Sequence, residues 1–196
     1  TSNNNNKSAV VVISTMNESR ALKLENETLI DCSDALGIQL NEKTLLWDVL
    51  HSGWMVQITP TRVWFIAPKS KSSSSSSLEV EVEEQGSVCW CPPANQSIIT
   101  GSICSQYKTV LVCLHDGGDN TYRIVPLLCS NAISSGAMAT ETSDQDMCCC
   151  IINADVSCMS NAMVLPKKSS RGSRKEAIVA IGTHTPSVHL LKLSLS

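Results

Sequence analysis

"VVVISTMNESRALKL" (10–24) is the stretch whose reading decides the fold. Val10 to Ile13 are all β-branched and run into Ser14; a polar corner, Thr15 to Ser19, follows; then Leu22 and Leu24 alternate with Lys23. β-branched side chains suit a pleated, half-buried surface, and period-two alternation gives one wet and one dry face. The stretch therefore reads as two strands joined by a short turn. Similar phrases return three times: "WMVQITPTRVWFIAP" (54–68), "SIITGSICSQYKTVLVCL" (97–114) and "AIVAIGTHTPSVHLLKLSL" (177–195).

Aligned at Ser14, Thr59, Gly101 and Gly182, the phrases are 45, 42 and 81 residues apart, and the last interval is close to a doubled one. A period of about 40 to 45 residues with four short strands is the pattern of β-propeller blades. One twisted four-stranded sheet has two apolar faces and covers neither alone, so each blade stacks on the next. The fold class expected is all-β: a β-propeller fragment of about three and a half four-stranded antiparallel blades, with each phrase as a blade's middle hairpin. The blades are placed at 9–31, 44–83, 87–128 and 147–193, after a disordered tail over 1–8. Strand 78–83 would close the second blade, 87–91 would open the third, and 147–153 would open the fourth. Flexible inserts are expected at the poly-Ser tract "KSKSSSSSS" (69–77) and over 157–176. The poly-Ser tract, "HDGGDN" (115–120) and the basic segment would then all emerge on one face, opposite the tight middle-hairpin turns.

With 196 residues, 42% of them hydrophobic, the chain can bury a sizeable core. No apolar run approaches about 18 residues, so no membrane span and no membrane partner are expected. A net charge of −3 gives no general attraction to nucleic acid, and any basic surface must be local. Ten cysteines admit a disulfide framework in a secreted chain, and sequons at Asn6, Asn17, Asn26 and Asn95 point the same way. Against this, Cys104, Cys113, Cys129 and Cys148 to Cys150 lie in apolar strand-like runs, where free cysteine packs as a small hydrophobe. An intracellular, reduced chain is the expectation.

In order, "ISTMNESRALKL", "VQIT" with "RVWFI", and "AIGTHTPSVHLLKL" resemble the middle propeller of a three-propeller scaffold family. That family includes damaged-DNA-binding protein 1, the large subunit of the cleavage and polyadenylation specificity factor, and the propeller subunit of the spliceosomal branch-site complex. The matching positions are Ser14, Arg20, Leu22, Leu24, Gln57, Ile58, Thr59, Val63, Ile181, Gly182, Leu190, Leu191 and Leu193. The resemblance implies a nuclear, non-catalytic scaffold. Its partners would be other proteins of a multi-subunit nuclear complex, with DNA or RNA reached through the wider protein. Its work would be DNA repair as a ubiquitin-ligase adaptor, or mRNA 3′-end processing or splicing. The poly-Ser and basic inserts depart from the family pattern, and no partner-contact residue is carried over.

No motif argues for catalysis, a cofactor or a metal. Cys89-Trp90-Cys91 puts two thiols on one face of a strand, but a zinc knuckle needs a second pair. His184 and His189 flank the last hairpin turn, where surface histidines are common. Asp116 and Asp119 lack the alternate spacing of a calcium loop and read as a hairpin turn. The basic segment "KKSSRGSRK" carries Lys167, Lys168, Arg171, Arg174 and Lys175. It is the one candidate site, as a phosphate or partner contact, a nuclear-targeting patch, or a solvated loop with modifiable serines. The rival readings are a propeller-type enzyme and a secreted glycosylated β domain.

Overall fold

The computed structural model describes residues 10–67, 87–105, 109–118, 121–128, 150–165 and 175–195. They are almost entirely antiparallel β-structure in four sheets of three or four strands, the all-β propeller-like class expected from the repeats. The first sheet holds β1 (Val10–Ser14), β2 (Ser19–Glu25) and β3 (Thr28–Asp31). A single helical turn, α1 (Ser33–Leu36), follows and ends at Gly37, whose φ of 70° suits a residue without a Cβ. The second sheet holds β4 (Leu46–Val49), β5 (Met55–Ile58), β6 (Val63–Ile66) and β7 (Val88–Trp90). In the third are β8 (Gln96–Cys104), β9 (Thr109–Asp116), β10 (Thr121–Leu128) and β11 (Cys150–Ile152). In the fourth, β12 (Val156–Met159) and β13 (Met163–Val164) both pair with β14 (Lys175–Thr183), which pairs with β15 (Val188–Leu195).

Strand membership departs from the sequence reading by one strand in the third and fourth sheets. Val88–Trp90 pairs with β6 and closes the second sheet, where 87–91 was expected to open the third. The register Val63 with Trp90 and Phe65 with Val88 fixes this, while the Trp90 ring fills the core shared by the second and third sheets. Cys150–Ile152 likewise pairs with β10 and closes the third sheet, whereas 147–153 was expected to open the fourth. The fourth sheet opens instead with β12 and β13, which overlap the stretch 157–176 expected to be a flexible insert. Polar Ser157, Ser160 and Asn161 make this strand look like loop, but the break between β12 and β13 stays bonded. The Ala180 amide donates to Ser160 Oγ (3.0 Å), and the Ser160 amide donates to the Ala180 carbonyl (2.8 Å). The third phrase is thus a first hairpin, β8–β9, and not a middle one. The tail 1–8, the poly-Ser tract 69–77 and the expected strand 78–83 lie outside the described residues.

The sheets pack face to face in chain order. Val10, Val12 and Ala21 of the first meet Met55, Ile66, Trp47 and Trp64 of the second. The opposite face of the second, with Val56, Ile58, Val63 and Phe65, meets Ile98, Ile103, Val110 and Val112 of the third. Leu111, Cys113, Tyr122 and Ile124 then meet Val156, Val179 and Ile181 of the fourth. Burial of each large apolar side chain contributes about 1.5–3 kcal/mol, so these three contacts carry the fold.

The two end faces are apolar and open. On the first sheet Val11 pairs with Leu22 and Leu24 with Leu29, and Val11, Ile13, Leu24 and Leu29 are all exposed. On the last, Met163, Val188 and Leu190 are about 70% exposed.

Candidate functional site

The middle hairpin turns of all four sheets lie at one end of the stack, and hydrogen bonds between sheets show it. At the first, Thr15 Oγ1 accepts from the Glu18 amide (3.2 Å), and the Thr15 amide donates to the Glu18 carbonyl (2.8 Å). At the second, Thr59 repeats the device: its Oγ1 accepts from the Arg62 amide (3.1 Å) and donates to the Arg62 carbonyl (3.1 Å). At the fourth, Thr183 Oγ1 donates to the Ser187 carbonyl (3.2 Å). A threonine hydroxyl thus closes three of the four turns and replaces backbone bonds that a tight turn leaves unmade. The third turn uses a carboxylate, with Asp116 Oδ1 accepting from the Gly118 amide (3.0 Å). "HDGGDN" is therefore a middle-hairpin turn at this end, and not on the insert face where it was expected; Asp119 and Asn120 lie outside the described residues.

Polar contacts stitch the turn end together. Between the first two sheets, Ser19 Oγ donates to the Glu42 carbonyl (2.8 Å) and lies 2.6 Å from Thr44 Oγ1, while the Thr44 amide donates to Ser14 Oγ (2.7 Å). Buried Gln57 continues the network. Its Oε1 accepts from the Gln39 amide (2.7 Å), and its Nε2 donates to the Gln39 carbonyl (3.0 Å) and to Thr44 Oγ1 (2.8 Å). Glu42 reaches across the surface, its Oε2 accepting from Thr61 Oγ1 (2.9 Å). Between the second and third sheets the Ile98 amide donates to the Pro60 carbonyl at 2.8 Å. Between the third and fourth, the Tyr122 hydroxyl donates to Asp155 Oδ1 at 2.5 Å, and the Asp155 carbonyl accepts from the His184 amide (2.8 Å). The Asp155 bond, with burial second, pushes the Tyr122 phenol up to about 12. The His115 ring lies against Tyr122, with centroids 4.7 Å apart.

The surface so made carries both signs of charge on well-bonded backbone. Arg20 lies 3.9 Å from Glu18 and 3.8 Å from Asp31. Two hydrogen bonds from Ser33, with Arg20 as a lesser cause, hold the Asp31 carboxyl below its usual value. The Arg62 guanidinium stacks on Trp64 at 5.5 Å.

Lys167, Lys168, Arg171 and Arg174 lie outside the described residues. Lys175 opens β14, paired with Leu195, at the end of the stack opposite the turns. Ile66, after which the poly-Ser stretch begins, ends β6 at that same opposite end. His184 sits in its turn, while His189 lies on β15 opposite Ile181, and no group of three or more metal-ligating side chains occurs among the described residues. A cleft of about 240 Å3, lined by Ile152, Asn153, Ile181 and His189 among others, is smaller than sites that enclose a drug-sized ligand. No helix among the described residues is long and apolar enough to cross a membrane.

The sequence reading did not find Ser19, Thr44 or Asp155. Gln57 carried a legible signal, a lone amide among apolar neighbours in "MVQI", which marks a buried polar group that needs partners. These features define an all-β, propeller-like stack with a stitched turn end. The chain matches no protein-family model, and no curated protein matches it.

Proposed function

We propose that the chain is a scaffold segment that holds other proteins in a multi-subunit nuclear complex, without catalysis of its own, and that the turn end is its docking face. The observation that supports this is the chain of inter-sheet hydrogen bonds running from Ser14 and Thr44 through Pro60 and Ile98 to Tyr122 and Asp155. Such bonds hold four adjacent turns in fixed relative positions, so a partner pays little ordering entropy on binding. The resemblance to the three-propeller family supplies the setting. It points to the nucleus and to DNA repair with ubiquitin-ligase adaptation, or to mRNA 3′-end processing or splicing. On this reading nucleic acid is reached through the wider protein, and Lys167, Lys168, Arg171, Arg174 and Lys175 serve as a nuclear-targeting or phosphate-contacting patch.

The test compares captures from nuclear extract by the unaltered chain, by the turn-end variant Arg62→Glu with Asp116→Lys, and by a control, Glu27→Lys, in the β2–β3 turn at the other end. Loss of a defined set of nucleic-acid-processing proteins with the first variant alone is the expected result. Equal retention by all three would reject the turn end as the docking face. Enrichment of secretory glycoproteins in its place would favour the secreted reading.

A further inference from the structure

The edge of the second sheet carries a pair of thiols that the scaffold reading does not use. β7 pairs only with β6, so one side of this strand is free of strand neighbours among the described residues. Trp90 is buried against the third sheet, and strand alternation therefore turns Cys89 and Cys91 together toward the opposite face. Cys89 is half-buried beside its cross-strand partner Trp64, and Cys91 is exposed. The two thiols lie near enough that the charge of Cys91 acts on Cys89, after burial as the first influence on it. Pro92 follows directly, and a residue before proline is confined to extended backbone, which keeps Cys91 on the Cys89 side. Buried Trp90 on one side and Pro92 on the other hold the pair in place.

We propose that Cys89 and Cys91 form one preorganised bidentate site for a single thiophilic centre, trivalent arsenic or a soft d10 cation. Two thiolates on one centre, each about 2.3 Å from it, stand about 3.8 Å apart, a span that side chains two residues apart on one strand face can close by leaning toward each other. A direct disulfide suits the strand less well. Extended residues i and i+2 have α-carbons about 6.6 Å apart and parallel Cβ vectors, at the outer limit of bridging geometry. The Arg62 guanidinium favours the Cys89 thiolate electrostatically, opposing the rise that burial causes. With an organic arsenoxide the step is a condensation. Two As–S bonds form, the arsenic–oxygen bond is lost, and the oxygen leaves as water with both thiol protons, arsenic staying trivalent.

Phenylarsine oxide is the probe, added to the native, reduced chain, with the adduct weighed and mapped by peptide mass spectrometry. The expected result is one arsenical bridging Cys89 and Cys91, released by a small dithiol and not by a monothiol. Cys91→Ser, at an exposed position, should weaken capture about 10²-fold by removing the second, intramolecular bond. Cys89→Ser should do the same, and Cys158→Ser should change nothing. If Cys91→Ser loses its fold by circular dichroism, Cys91→Ala takes its place. Undiminished capture at this peptide in the Cys91 variant would overturn the proposal. So would bridging confined to other cysteines, or bridging that appears only in urea.

Discussion

Ile58 of the second sheet lies against the α-carbon of Gly101 in the third, so closely that a Cβ on Gly101 would stand 2.5 Å from Ile58 Cδ1. The same Cβ would stand 2.9 Å from the Leu111 carbonyl oxygen, which belongs to the neighbouring strand and cannot swing away. Gly101 is there because two sheets approach closely at that point. Gly101→Ala should destabilise the chain by about 1–3 kcal/mol, the usual cost of overpacking. Adding Ile58→Val removes one of the two clashes and should recover only part of the loss. Urea denaturation of the single and double variants reads this directly, and a neutral Gly101→Ala would mean that the two sheets are not packed at this spacing.

Gln57 should be costly to replace. Gln57→Leu keeps the volume but strands the part-buried amide and carbonyl of Gln39 and one partner of Thr44. Each stranded buried group costs about 1–3 kcal/mol. Thr44→Val should cost less, because Gln57 keeps both bonds to Gln39. If Gln57→Leu raises stability in thermal denaturation, the network is not what holds the first sheet on the second.

Tyr122 gives a pH signature. Its folded pKa, about 12, lies above the ordinary 10.0, so folding favours the protonated phenol. The stabilisation is complete below about pH 10 and is lost as pH climbs toward about 12. The stability gap between the unaltered chain and Tyr122→Phe should be flat through neutral pH and shrink over that window. In a Tyr107→Phe background, tyrosinate absorbance should rise near pH 12, and Asp155→Asn should bring it back toward 10. Titration near pH 10 with Asp155 intact would show that the hydroxyl does not donate to it.

The open end faces predict self-association. Val11, Ile13, Val188 and Leu190 form apolar surfaces of the kind that binds other apolar surfaces. Leu190→Lys and Val11→Lys should each change stability by no more than about 0.5 kcal/mol, as exposed substitutions do. Together they should lower dye binding and concentration-dependent sedimentation. A loss of several kcal/mol from either would show that its face is covered.

What the sequence determined by itself was the kind of element and the way elements repeat. Runs of β-branched and apolar residues in "VVVIS", "MVQI" and "VHLLKL" mark strands, and the alternation Leu22-Lys23-Leu24 gives one of them two distinct faces. Threonines at 15, 59 and 183 fix the turns, because a hydroxyl that closes its own turn acts within a few residues. Such local causes are written where they act. Which sheet takes an edge strand was decided only in three dimensions. Val88–Trp90 and Cys150–Ile152 read equally well as the last strand of one sheet or the first of the next, since a short strand's sequence does not say which neighbour will offer its hydrogen bonds. Pairing with Val63 and Phe65 settled the first, and pairing with Ile124 settled the second. The stitched turn end was hidden for the same reason. Ser19 meets Thr44, and Tyr122 meets Asp155, across separations of 25 and 33 residues. Ser19 and Tyr122 become buried, and find these partners, only when the sheets stack and exclude the water that would otherwise serve them.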